Sequence, residues 1–173
     1  MFREVLNVEV AYVGCCEGGT MSGKQAFVMM IQNRWWNEFR RRNNEGKKTH
    51  SFILRGTAPP KDASRVLFYV TKPVGEIAGY ADFIERKIGD ADRLWKEHGD
   101  ESVLSSKEKY DGFVKDSQKV SFVRFKDLHE AVKAIPLNHV LMYLGIRRLG
   151  RKGFYIDKEI EDKFVALMNE RTG

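Results

Sequence analysis

Apolar and polar residues alternate along several short stretches of this chain and recur at steps of three or four along others. Val5, Val8, Val10, Tyr12 and Val13 predict a strand from Glu4 to Val13. A glycine-rich loop follows, from Gly14 to Gly23. Ala26 to Arg42 reads as a strand turning into a helix, or as one helix. Ile31, Trp35 and Phe39 fall at steps of four and favour helix for its second half, and Asn43-Asn44-Glu45-Gly46 stops it. His50 to Leu54 predicts a short strand, Thr57 to Asp62 a turn, and Arg65 to Thr71 a strand that breaks at Lys72-Pro73. Glu76 to Arg86 predicts the next strand, packing through Ile77, Tyr80 and Phe83. Asp90 caps a short helix holding Leu94 and Trp95 and ending at Gly99. Ser105-Ser106-Lys107-Glu108 predicts a capping box for a second helix that buries Tyr110, Phe113 and Val114. From Lys119 to Phe125 the alternation is clean: Val120, Phe122 and Arg124 share one face, and Ser121, Val123 and Phe125 the other. Pro136 opens an apolar segment through Leu144, and Asp157 caps a final helix with the stripe Ile160, Phe164, Leu167 and Met168.

Strands, then helices, then a strand, then helices is not a regular strand–helix alternation. It predicts an α+β fold with a mixed, mostly antiparallel sheet. The 173 residues suffice for one domain with a real core, spanning 1–173 with a C-terminal helical extension over about 136–173. No stretch of 18 apolar residues appears, and the N-terminus lacks the apolar core of a signal peptide, so the expected location is the cytoplasm. Cys15 and Cys16 are adjacent, a poor geometry for a disulfide and too few ligands for zinc. His50, His98, His129 and His139 are scattered without metal-ligand spacing. No metal or cofactor is expected.

Charge changes the picture. The net charge is +6, which draws polyanions. From Arg34 to Arg55 there are seven basic residues against Glu38 and Glu45. Arg147, Arg148, Arg151 and Lys152 form a second cluster with no acid between Leu144 and Ile156. At helical spacing Trp35 falls in the core beside Ile31 and Phe39, which leaves Trp36 as a platform for stacking on a base, with Arg40, Arg41 and Arg42 holding phosphates. Gly18 to Gln25 is a near miss for the phosphate loop G-x-x-x-x-G-K-[ST], with Gln25 where a magnesium-binding hydroxyl belongs.

The order of segments resembles the PUA-like superfamily, and within it the ASCH type and a related uncharacterised archaeal family. The matching pieces are the turn Gly46-Lys47-Lys48-Thr49, the strand Val66 to Pro73, and the glycine-centred strand Glu76-Ile77-Ala78-Gly79-Tyr80-Ala81. After these come Arg93-Leu94-Trp95 on a helix and the strand Gln118 to Phe125. The likeness runs over residues 28 to 145. Relatives often place an arginine soon after the turn; here Arg55 comes six residues after Thr49. The resemblance implies a twisted, barrel-like sheet ringed by helices. It implies RNA binding, or, for some ASCH-type members, hydrolysis of a modified nucleoside. In the latter a turn lysine, a hydroxyl three positions on and a later glutamate act together, which by position are Lys48, Ser51 and Glu101, with Glu97 as a second choice for the acid.

Residues and resemblance together lead to three expectations. The first is binding of RNA or a nucleotide in a basic cleft, with a place in RNA modification or translation. Lys47, Lys48, Arg41 and Arg42 would meet phosphate, Trp36 and His50 a base, and Arg40, Thr49, Arg55 and the Arg147–Lys152 cluster the wider nucleic acid. The alternative is an ASCH-type amidohydrolase acting on an acylated nucleoside through Lys48, Ser51 and Glu101. The third is a P-loop nucleotide-binding enzyme acting through Gly18 to Lys24.

Overall fold

The computed structural model describes residues 24–171. The Glu4–Val13 strand, the two cysteines and most of the near-miss phosphate loop lie outside the described residues. Six strands form one mixed sheet in the order β2-β5-β4-β3-β1-β6. They are β1 (Ala26–Ile31), β2 (Thr49–Arg55), β3 (Arg65–Val70), β4 (Glu76–Gly89), β5 (Val120–Pro136) and β6 (Phe154–Ile156). Five helices accompany them: α1 (Asn33–Asn44), α2 (Ala91–His98), α3 (Lys107–Val114), α4 (Leu137–Leu144) and α5 (Lys158–Asn169). A 3-10 turn, Gly99–Glu101, follows α2 directly. Among the described residues only β1 and β3 pair in parallel; the remaining ladders are antiparallel. The fold is α+β with a mixed sheet, as expected. Among the described residues β2 and β6 are its edges and the sheet does not close, so they do not bear out the expected barrel.

Ala26 to Asn44 resolves into strand plus helix, and this corrects the helical stripe. Ile31 belongs to β1, so it cannot sit on the helix with Trp35. The buried residues of α1 are Trp36 and Phe39, three apart on one face, while Trp35 is half-buried. Trp36 packs over Gly79, where an added Cβ would come within 2.6 Å of its ring. The helix ends at Gly46, whose φ of +99° is glycine territory.

Asp90, Ser106 and Asp157 cap α2, α3 and α5, each accepting from a backbone N–H three residues on. The α3 cap is therefore Ser106 rather than the Ser105 of a Ser-x-x-Glu box. β5 runs eleven residues beyond Phe125, through a polar stretch that hides its period. Its ladder with β4 shifts register three times, which bends the pair.

Three apolar clusters follow from strand alternation. One face of β1 and β3 packs Phe27, Met29, Val66 and Phe68 against α1. The other packs Val28, Leu67 and Tyr69 with Val140 of α4 and with Phe164 and Met168 of α5. The third joins Ile53, Val120 and Phe122 of β2 and β5 to Leu94 of α2 and Tyr110 and Val114 of α3. Leu94, Tyr110 and Phe122 are wholly buried. Each such side chain contributes about 1.5–3 kcal/mol of transfer free energy. This last cluster fixes α2, and with it the turn that carries Glu101.

Candidate functional site

Strand register lays three polar side chains in one row. Ser51 of β2 stands opposite Arg124 of β5. Arg124 stands opposite Glu85 of β4. This row lies on the face that holds Ile53, Val120 and Phe122. Glu101 descends on it from the 3-10 turn. Gly99 makes that descent possible, because a Cβ there would lie 2.6 Å from the Trp95 ring. A parallel bridge between Ser51 and Ser102 then ties the segment to the outer edge of β2.

The contacts are short. Ser51 Oγ donates to Glu101 Oε2 at 2.6 Å. Arg124 grips the same carboxylate with both ends of its fork, Nε to Oε2 at 2.8 Å and Nη2 to Oε1 at 2.7 Å. Its remaining Nη1 donates to Glu85. His98 Nδ1 lies 3.5 Å from Glu101 Oε1. Ser51 is 1% exposed and Glu101 9%. Burial opposes ionisation of Glu101, but the hydrogen bonds from Arg124 and Ser51 and the Arg124 charge outweigh it. The carboxyl therefore titrates below its ordinary value, and the same contact raises Arg124. The cluster presents a hydroxyl polarised toward a permanent carboxylate.

Beside it is a hollow of about 220 Å³, lined by Ser51 to Leu54 of β2, Trp35, Ser102 to Leu104 and Phe113, with Met30 and Gln32 at the end of β1. Its aromatic walls carry arginines. Arg34 lies over the Trp35 ring at 4.5 Å and Arg55 over the Phe113 ring at 5.4 Å. Arg55 Nε also donates to the Phe113 carbonyl at 2.7 Å. Neither arginine pairs with a carboxylate among the described residues. On the far side of Leu104 lies a larger hollow of about 540 Å³, with Arg42, Trp95, Lys96, Gly99, Asp100 and Ser105 around it.

The fold as a whole matches known structures. Over 83% of its length the chain superposes on 96% of a serine-to-alanine mutant of ASCH from Zymomonas mobilis, with a TM-score of 0.68 and 22% identity. The unmutated ASCH from Zymomonas mobilis gives 0.65 at 21% identity, covering 82% of this chain and 94% of that one. This is an ASCH-type, PUA-like fold. A curated homologue, the ASCH domain-containing ribonuclease of Zymomonas mobilis, is 28% identical over 136 residues, 78% of this chain and 89% of that protein. A shorter match, 35% over 67 residues, covers 21% of the large ribosomal subunit protein uL22 of Ureaplasma parvum. No family model matches the chain. These relatives lend no support to an archaeal affiliation.

Within this ASCH fold the expected residues divide. Ser51 and Glu101 meet, whereas Glu97 is half-exposed and lies 4.0 Å from Arg93 and 3.8 Å from His98. Lys48 is exposed on the turn before β2. Its neighbour Lys47 pairs with Asp100 at 2.9 Å. Arg40 pairs with Glu130, Arg41 with Glu38 and Glu45, and Arg42 leans on the Asp100 carbonyl at 3.4 Å. Thr49 opens β2, half-buried, opposite Lys126. Arg147, Arg148, Arg151 and Lys152 are exposed on the loop before β6, and none of them lines either hollow.

Two base-contacting expectations are corrected. Trp36 is 4% exposed and His50 is wholly buried, so neither offers a stacking surface. His50 is held between Phe39 and Phe125, with no hydrogen-bond partner on either ring nitrogen. Burial and the Arg42 and Lys47 charges lower its pKa to about 4; the Lys47 backbone favours the charged ring but lies outside hydrogen-bonding geometry.

Arg124 was not among the expected site residues, nor were Glu85, His98, Trp35 and Phe113. The signal for Arg124 was present, since alternation sets it on the face of Val120 and Phe122. An arginine on an apolar face needs a buried counter-ion. Among the described residues no group of three or more His, Cys, Asp or Glu could hold a metal, and no helix is long and apolar enough to cross a membrane.

Proposed function

We propose that this protein binds RNA, one base entering the hollow beside Ser51 while Arg34, Arg55 and Lys48 meet the backbone. One observation carries the reading: both aromatic walls bear arginines with no carboxylate partner among the described residues. Flat apolar walls with free cations at their rims suit a base and its phosphates. The hollow is smaller than the ~300–1,000 Å³ of whole-ligand pockets, so it suits one ring system with the rest of the nucleotide outside. The homologue named as an ASCH domain-containing ribonuclease supports RNA as the ligand class. Arg40 and Arg41 sit in solvent-accessible ion pairs of small net worth, which a phosphate can displace. The reading is tested by fluorescence anisotropy with a short single-stranded RNA over rising salt. Affinity should fall log-linearly with salt as counterions are released. Affinity that ignores salt would remove the electrostatic half of the account.

The 2.6 Å contact from Ser51 to Glu101 favours a second reading, hydrolysis of an acylated nucleoside. The Lys48 amine would take the hydroxyl proton as Ser51 Oγ bonds to the acyl carbon. The nucleoside amine would leave with a proton, and water would then release the acyl group from Ser51. Glu101, with its depressed pKa, would orient the hydroxyl rather than accept its proton. Ser51 is 1% exposed, so the Ser102–Leu104 segment would have to open. Lys48→Ala separates the readings: it abolishes turnover in the enzyme and only weakens RNA binding in the module.

A further inference from the structure

We infer that the two hollows hold successive nucleotides of one RNA strand, so that the ligand is an oligonucleotide rather than a lone nucleoside. This rests on the RNA reading above and extends it to the larger hollow, which that reading does not use. The segment Gly99–Ser105 runs between them as a strap, and Leu104 lines both. The two hollows therefore adjoin at this residue. A base in the smaller hollow leaves its sugar and phosphate outside, at Leu104, and the strand continues toward the larger one.

The larger hollow has the chemistry to receive it. Arg42 and Lys96 supply cations and Ser105 a hydroxyl. Trp95 offers the edge of a ring held between Tyr110, with centroids 4.6 Å apart and planes inclined at 27°, and Gly99. Asp100 also lines this hollow and would repel a phosphate, but Lys47 Nζ holds its carboxylate at 2.9 Å. Among the described residues Arg42 and Lys96 pair with no carboxylate, so two cations remain. Bases in a duplex are stacked and paired and cannot enter either recess, so the strand is single.

The test compares uridine 5′-monophosphate with an oligouridylate hexamer, and the adenosine pair likewise, by calorimetry and anisotropy. The hexamer should bind at least about tenfold tighter, as a second nucleotide contacted by two cations requires. The double variant Arg42→Ala/Lys96→Ala should remove most of that margin while leaving the monophosphate unchanged. Lys133→Ala/Arg171→Ala makes the same charge change at exposed residues outside both hollows and should preserve the margin. Equal affinity for monophosphate and hexamer, or a margin that survives loss of Arg42 and Lys96, or an equal loss in the control, overturns the inference and leaves the one-base reading standing. Absence of binding by either ligand removes both.

Discussion

Among the described residues stand two serine–glutamate–arginine clusters, and they differ in what surrounds them. In the first, Ser51 and Arg124 close on Glu101 at 2.6–2.8 Å beside an open hollow. In the second, Ser64 donates to Glu161 at 3.0 Å and Arg65 at 3.3 Å, pinning α5 to the start of β3. Glu161 is 1% exposed, more buried than Glu101. Ser64, Arg65 and Glu161 line neither hollow. The residue types are thus shared, and chemistry alone does not separate a site from a rivet. The difference lies in the bidentate grip, in the row across three strands, and in the aromatic recess next door.

The sharpest way to break this comparison is to remove each carboxylate. Glu101→Ala leaves Arg124 with Glu85 and Glu161→Ala leaves Arg65 with Asp82, and each loss of a charge-assisted contact should cost about 1–3 kcal/mol in thermal or denaturant unfolding. Under conditions where both variants remain folded, only the loss of Glu101 should weaken RNA binding, because Glu101 holds the strap that borders the hollows. Equal weakening by the two would make the first cluster as structural as the second.

Acid should act on the Ser51 side through its neighbour. The His50 ring stays neutral in the folded protein down to about pH 4, against an ordinary value of 6.5. Below pH 6.5 the unfolded chain takes up a proton that the folded chain refuses, so stability is lost as pH falls from 6.5 toward 4. The whole loss amounts to about 3 kcal/mol. His50→Leu should flatten melting temperature against pH in that window. An unchanged slope would assign the acid sensitivity of that window to a group other than His50, and not to Glu101, whose lowered pKa makes it lose its contribution only at more acidic pH.

Smaller effects sharpen the hollow itself. Trp35→Ala should cost about 1–3 kcal/mol of RNA affinity, the worth of one stacked base, with little change in stability because the ring is only half-buried. Arg34→Ala and Arg55→Ala should each lower the slope of log affinity against log salt by about 0.7, one phosphate contact on a single strand. A slope that does not move for either would detach these arginines from the backbone.

The contrast also explains what was legible in the chain. Alternation in Val120 to Phe125, and the Asp90 and Asp157 caps, are local signals, and the structure contains the elements they predict. Ser51 and Glu101 could be paired only through resemblance, because fifty residues separate them. Trp36 and Trp35 exchanged roles because Ile31 ends a strand, which shifts the helical phase that fixes the buried face. The far half of β5 was hidden because its positions 126–134 face a mixture of solvent and protein, so its period does not read as apolar against polar. The open sheet depends on which strands pair, and pairing of distant strands leaves no local mark.

The central claim is that the recess beside Ser51 is where RNA sits. Amide and indole chemical shifts followed by NMR during titration with a single-stranded RNA test it most directly. Ser51 to Leu54, Ser102 to Leu104 and the Trp35 indole should move together and saturate with one dissociation constant, while Ser64, Arg65 and Glu161 stay still. Shifts confined to the Arg147–Lys152 loop or to the Ser64–Glu161 cluster, with the recess silent, would contradict the account.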